Sequence, residues 1–324
     1  MPGLDCRCFP CSGAVEVESL QRFLRANAPG GLLPWSRQAA AAEAFHQSWA
    51  EIEAAALALG LLPCRYQRNR QSISVEQQLR LFQSRVAVLG CGGLGGHVIE
   101  QLARLGIGSI VAIDPDVFEE HNLNRQLLST IASLGQPKVE AARARVAAIN
   151  PAVTLLPIRD TFAPSNGIGL LTGSQVVVDA LDSVDTRLAL AESCAELGIP
   201  LIHGAIAGWY GQVVTQYPGE LSLRRLYPAG VASKGTEQQL GNPAFTPAVV
   251  ASMETAEVAK ALLGIGKALR GRVMTVNLLE MTFDEIVFED GVPPHRAPLI
   301  LPDPPGGKLP DGGVASTNIV PWSD

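Results

Sequence analysis

The sequence predicts an α/β chain with a doubly wound, mostly parallel sheet, antiparallel C-terminal strands and a helical N-terminal extension. Three observations carry this expectation. From Arg85 to Asp114 the chain reads RVAVLGCGGLGGHVIEQLARLGIGSIVAID: a buried strand, a glycine turn, an amphipathic helix and a second buried strand. Strand and helix patterns then alternate as far as His203, the pattern of parallel strands joined by crossovers. From Gly211 the alternation stops, and RVMTVNLL and FDEIVF read as paired strands.

Residues 1–64 read as the helical extension. Residues 14–28 include VEVESLQRFLRA, a short amphipathic helix broken by Pro29, Gly30 and Gly31. Ser36 is placed as the cap of an alanine-rich helix running to about Leu59. Ser74 with Gln77 has the spacing of a capping box for a helix reaching Phe82. In the glycine unit, Val86 to Leu89 is the first strand, and Gly90, Gly92 and Gly95 form G-x-G-x-x-G. Leu94, Val98, Ile99, Leu102 and Leu105 share one helix face, and Ile110 to Ile113 is the second strand. A helix starts at GQPK, with Pro137 in its first turn, and ends at Asn150-Pro151. Val153 to Ile158 and Gln175 to Asp179 are strands, Val184 to Leu197 a helix, and Pro200 to His203 a strand. GQVVTQY reads as a strand with an exposed face, residues 218–245 as a long loop, and Thr246 to Leu263 as a helix. The α/β domain thus spans 65–290, and residues 291–324 form a proline- and glycine-rich tail.

Composition bounds the function. At 324 residues, with 47% apolar and 17% charged residues, the chain can bury a large core. A net charge of −6 gives no general basic face, so a nucleic-acid partner is not expected. No apolar run reaches the ~20 residues that span a bilayer, and MPGLDCRCFPCSG lacks the pattern of a signal peptide. Six cysteines suit a reducing cytoplasm. Cys6, Cys8 and Cys11 read either as part of a metal clip or as a frayed terminus.

The glycine turn points to a nucleotide. Its glycines let the backbone approach a phosphate, and the helix after the turn presents free N–H groups to it. Asp114, nineteen residues past Gly95, can bond ribose hydroxyls. The turn does not distinguish one nucleotide from another; the charged residues around it do. Asp114, Arg125, Lys138 and Asp182 all lie just after strands or in loops on the C-terminal edge of the sheet. Two cations beside a phosphate loop suit a triphosphate whose pyrophosphate must leave. Asp182, beyond a buried strand, is placed to hold Mg²⁺, which takes one or two carboxylates and phosphate oxygens. Taken singly, Lys138 also reads as a solvated lysine and Asp182 as a helix cap.

RYQRN, GCGGLGG, IDPD, NLNRQ, GQPK, INP, DALDS and PLIHGAIAGWYGQV occur in that order between Arg65 and Phe288. This set resembles the ThiF/MoeB/HesA family, relatives of the ubiquitin-activating enzymes, with a Rossmann-like sheet. The resemblance implies ATP-dependent adenylation of the C-terminal carboxylate of a small ubiquitin-like sulfur carrier ending in Gly-Gly. It implies that the loop of Gly90, Gly92, Gly93 and Gly95 lies under the ATP, with Asp114 on the ribose and Asp116 beside it. Asn122, Arg125, Gln126 and Lys138 are expected on the phosphate side and Asp182 on Mg²⁺. Arg68 is expected to reach the γ-phosphate of the neighbouring subunit in a homodimer.

Two departures shape these expectations. Many family members hold a structural zinc with two C-x-x-C pairs. Near Leu221 to Tyr227 this chain reads LSLRRLY, and near Glu289 to Arg296 it reads EDGVPPHR, so no such zinc is expected. No cysteine follows Cys194, so a thioester through the crossover loop is not expected. Cys91 and Cys194 read as small buried residues, His203 as a packed histidine or a substrate contact, and Trp209 and Tyr210 as a packed turn or a channel wall. Other readings stay open: adenylation of a carboxylate on a peptide or tRNA nucleoside, an NAD-dependent oxidoreductase, or a non-catalytic scaffold. An oxidoreductase gives Arg125 and Lys138 no role.

Overall fold

The computed structural model describes residues 12–228 and 240–288. The N-terminal cysteine cluster, part of the long loop and the C-terminal tail lie outside these residues. Among the described residues the main sheet has eight strands. In chain order they are β3 (Arg85–Leu89), β4 (Ser109–Ile113), β5 (Thr154–Ile158), β6 (Val176–Asp179), β7 (Leu201–Ala207), β8 (Tyr210–Gln216), β9 (Arg272–Asn277) and β10 (Thr282–Val287). A two-residue parallel ladder, β1 (Leu32–Leu33) on β2 (Leu62–Pro63), lies in the extension.

The spatial order is β10-β9-β8-β7-β6-β3-β4-β5. The five strands from β5 to β7 are parallel, and β8, β9 and β10 add antiparallel. The expected doubly wound sheet with antiparallel C-terminal strands is therefore the observed one. Its strands are apolar on both sides because both faces are covered. On one face α5 (Gly93–Leu105), α6 (Lys138–Ile149) and α10 (Phe245–Leu263) pack over Val86, Val88, Ile110 and Ile202. On the other, α7 (Gly167–Leu171), α8 (Val184–Leu197) and α9 (Ser222–Leu226) pack over Ala87, Leu89, Val111 and Val177.

The structure corrects three elements. The alanine-rich stretch is two helices, α2 (Trp35–Ala44) and α3 (Trp49–Ala58). Pro34, not Ser36, precedes the first. His46 stands at φ +52 in the connection, and Ser48 starts the second with a capping box to Glu51. The chain folds back so that Trp35 stacks on Trp49 with ring centroids 4.4 Å apart. Next, β8 has no exposed face: all seven residues are buried. Its polar side chains suggested solvent, yet each has a buried partner. Gln212 donates to the Tyr227 hydroxyl at 2.8 Å, Thr215 to Glu257 at 2.5 Å, and Gln216 accepts from the Leu223 amide at 2.8 Å. The third correction is α9, a short helix inside the stretch read as loop. The helix α4 (Val75–Phe82) has the capping box expected of Ser74 and Gln77.

The extension has its own apolar cluster, with α1 (Ser12–Ala26) contributing Leu20 and Leu24, packed with Leu33, Ile52 and Ala56. A buried polar seam joins it to the sheet domain. Glu53, with no exposed surface, accepts from Arg65 at 2.8 Å and from the Tyr66 hydroxyl at 2.6 Å. Asn150 donates to the Tyr66 hydroxyl at 2.7 Å and its carbonyl meets Arg65. Arg65 also lies over the Trp35 ring. It is therefore a structural residue of the seam.

Candidate functional site

A cleft of about 460 Å³ opens beyond the C-terminal ends of β3, β4 and β6. Strand β3 has β4 on one side and β6 on the other, so the chain's crossovers diverge here. Diverging connections leave a crevice where neither loop can fill the space.

The glycine turn makes the floor. Gly90 has φ +94, and a Cβ there would lie 2.4 Å from the Ala180 carbonyl oxygen. At Gly95 a Cβ would lie 1.7 Å from the Gly90 carbonyl oxygen. Only glycine satisfies both positions, and the result is close approach between β3, α5 and the loop after β6. Gly92 and Gly93 line the cleft at the start of α5, whose first-turn N–H groups have no partner within the helix. Gly95 packs beneath the lining.

Asp114 is buried and binds the backbone with both oxygens. Its Oδ2 accepts the Cys91 N–H at 2.6 Å and its Oδ1 the Asp116 N–H at 2.8 Å. Asn122 closes a short turn by accepting the Glu119 N–H at 2.9 Å. Arg125 donates to the His121 carbonyl at 3.2 Å and to Asn124 at 3.0 Å. Lys138, the first residue of α6, is buried and donates to the exposed Asp116 carboxylate at 2.9 Å. Gln126 is buried too, and its Oε1 has no hydrogen-bond partner. Asp182 is exposed at the edge of the cleft. The structure thus brings Gly90, Gly92, Gly93, Asp114, Asp116, Asn122, Arg125, Gln126, Lys138 and Asp182 to one cleft. Arg68 lies outside that lining, exposed on the 3-10 turn Cys64–Asn69.

Other lining residues escaped the sequence reading. Asp160, Thr161 and Phe162 follow β5, and Thr186 and Arg187 belong to α8. The rule that placed Asp114 and Asp182 at strand ends applies equally to Asp160. Arg187 gave no signal, because only the folded helix shows which face it occupies.

Beneath the cleft lies a buried polar chain. His203 Nδ1 is 2.8 Å from Asp179 Oδ2, and its Nε2 is 3.0 Å from the Tyr227 hydroxyl. Burial holds the imidazole below its usual pKa, against the pull of Asp179. The packed-histidine reading of His203 therefore matches its surroundings. Cys91 and Cys194 are also buried. Burial raises both thiols, that of Cys194 to about 12, so neither is held as a thiolate at neutral pH. Tyr210 is buried in β8, while Trp209 is half exposed with its ring 4.5 Å from that of Phe245.

For Mg²⁺ the fit is that of a shared site. Among the described residues no three His, Cys, Asp or Glu side chains cluster to hold a metal. Asp182 and Asp160 are carboxylates of the cleft lining, and Mg²⁺ completes such sites with phosphate oxygens and water. The unpartnered Gln126 oxygen and the side-chain-free floor at Gly92 and Gly93 fit a polar ligand lying across the turn. Among the described residues no helix is long and apolar enough to cross a membrane.

Fold and cleft together define a nucleotide site at the switch point of a doubly wound sheet. Residues 66–291 match the ThiF family, and the chain belongs to it. It is 38% identical over 231 residues to the SAMP-activating enzyme E1 of Haloferax volcanii, covering 69% of this chain and 84% of that one. It is 34% identical over 257 residues to the sulfur carrier protein adenylyltransferase of Thermus thermophilus, covering 76% and 94%. Among solved structures, E. coli MccB with ATP superposes with a TM-score of 0.60 over 69% of this chain and 71% of that one. At 22% identity this shows a shared fold.

Proposed function

We propose that the protein is an ATP-dependent adenylyltransferase that activates the C-terminal carboxylate of a small ubiquitin-like sulfur carrier. The observation that carries this reading is the gathering of Lys138, Arg125, Asp182 and the glycine turn around one cleft. ATP would lie across Gly90, Gly92 and Gly93, with a ribose hydroxyl on the remaining lone pairs of Asp114. Lys138 would exchange Asp116 for phosphate, and Arg125 would neutralise the departing pyrophosphate. Asn122 and Gln126 would complete the phosphate side. Asp182 would hold Mg²⁺, which would offset the charge of the phosphates. The acceptor carboxylate then attacks the α-phosphate and pyrophosphate leaves, so an acyl-adenylate forms.

Two relatives support this class: one is a SAMP-activating enzyme and the other a sulfur carrier protein adenylyltransferase. An acceptor ending in Gly-Gly, a homodimer with Arg68 supplied in trans, and a cytoplasmic location belong to the same proposal. So does the division at residues 64 and 290. The test is ATP–pyrophosphate exchange against a panel of small proteins ending in Gly-Gly. Exchange that depends on one of them supports the reading, and none with any of them overturns it. With no cysteine after Cys194 the reaction is expected to stop at the adenylate, and a thiol-sensitive enzyme–acceptor band on a non-reducing gel would contradict that expectation.

A further inference from the structure

Asp182 comes directly after a peptide that is gripped from both sides. The Leu181 N–H donates to Asp179 Oδ1 at 3.0 Å. The Leu181 carbonyl accepts twice from Arg187, from Nη2 at 2.6 Å and Nε at 3.2 Å. Asp179 and Arg187 are themselves 3.9 Å apart and both buried, so each offsets the other's charge. One residue of backbone therefore has both polar groups tied to a buried ion pair.

The same pair is tied to a tyrosine far along the chain. Arg187 Nη1 donates to the Tyr227 hydroxyl at 3.2 Å, and Gln212 Nε2 donates to it at 2.8 Å. His203 lies between Tyr227 and Asp179, 3.0 Å from the one and 2.8 Å from the other. These partners fix the proton positions. Against the carboxylate, Nδ1 carries the hydrogen, so the neutral ring accepts the tyrosine O–H at Nε2. The helix α8, the strands β7 and β8 and the residue just beyond α9 thus meet at one hydroxyl, and Arg187 carries the link on to the Leu181 carbonyl.

We propose that Tyr227, through Arg187 and the His203–Asp179 pair, is a positioning residue that fixes the Leu181–Asp182 loop in its metal-binding geometry. This rests on the reading of Asp182 as the Mg²⁺ ligand. A carboxylate on an exposed loop edge binds metal weakly if it must be ordered at the moment of binding. Here the ordering is done beforehand by the network under the loop.

The experiment is a double-mutant cycle on ATP binding, measured by titration calorimetry with and without Mg²⁺. Tyr227→Phe removes the hydroxyl and leaves the ring packing. It is expected to lower the Mg²⁺-dependent gain in ATP affinity by about tenfold, as losses of outer-shell partners do, and to leave metal-free ATP affinity unchanged. In the Asp182→Ala background Tyr227→Phe should have no further effect, because its route is gone. Equal losses in both backgrounds, or no loss in the parent, overturn the proposal. If Asp182→Ala alone keeps the full Mg²⁺ effect, the metal assignment itself falls, which is a distinct result. Should Tyr227→Phe fail to fold, Arg187→Lys enters the same cycle: it keeps the charge, but one ammonium cannot serve both Leu181 and Tyr227. Loss confined to the background that retains the Asp182 carboxylate supports the proposal, and equal loss in both overturns it.

Discussion

Two carboxylates show how burial changes what an acidic residue does. Asp182 is exposed and lines the cleft, where a cation in solution can reach it. Asp182→Ala is expected to reduce acceptor-dependent pyrophosphate exchange by about 10²-fold or more in a folded protein. Exchange rate and circular dichroism measured together check this. Glu254 is the opposite case. It lies fully buried over Gly204, where a Cβ would come within 2.5 Å of its carboxyl carbon, and neither oxygen has a hydrogen-bond partner. Burial, with the charge of Asp179 adding to it, raises its pKa well above the usual value. That direction sets the sign of the pH dependence. Below the ordinary Glu range both folded and unfolded chains hold the proton. As pH rises through that range the unfolded chain releases it first, so stability falls by up to about 1.4 kcal/mol per pH unit until the folded group ionises. Glu254→Gln removes this dependence. Its melting temperature relative to the parent should rise as the pH is raised above the ordinary Glu range, and a constant difference would contradict the buried-acid account.

At the scale of elements, the extension is bound to the sheet domain by the Glu53–Arg65–Tyr66–Asn150 seam. Burial raises the Glu53 pKa, while Arg65 pulls it back. Arg65→Met would keep the stem and leave Glu53 buried without its cation. Breaking a buried pair in this way costs about 3–5 kcal/mol, so the urea midpoint should fall by the corresponding amount. Glu53→Gln in the same background should recover part of the loss, because the stranded charge is gone. RYQRN contains two arginines, and the sequence does not divide their roles. Arg65 reaches Glu53 and Asn150 in the seam, whereas Arg68 is exposed, a division that only the folded contacts show. The misread β8 has the same origin: Gln212, Thr215 and Gln216 look like a solvent face until their partners, distant in sequence, are in place.

For the whole molecule, the exposed Arg68 outside its own cleft fits a part played in a second subunit. Closed two-fold dimers are the commonest assemblies. Arg68→Ala and Asp182→Ala should each be inactive alone. Co-expressed and isolated as mixed dimers, they would have one cleft with both parent residues, and activity should return to roughly half of the parent dimer. Mixed dimers as inactive as either variant would place Arg68 in its own chain or outside the reaction.

Local chemistry alone was enough for the parallel sheet and for part of the cleft, while Asp116, Asn122 and Gln126 came only through the family resemblance. Strand periodicity, the glycine turn and the rule that functional loops follow strand ends are all short-range features, and they located Asp114, Arg125, Lys138 and Asp182. The network of Asp179, Arg187, His203, Gln212 and Tyr227 was out of reach, although each residue was in view. Its members come from three strands, the helix α8 and a position just beyond α9. Their contacts depend on sheet order and on helix rotation about its axis. Those are fixed by packing over the entire core, not by any neighbour in sequence.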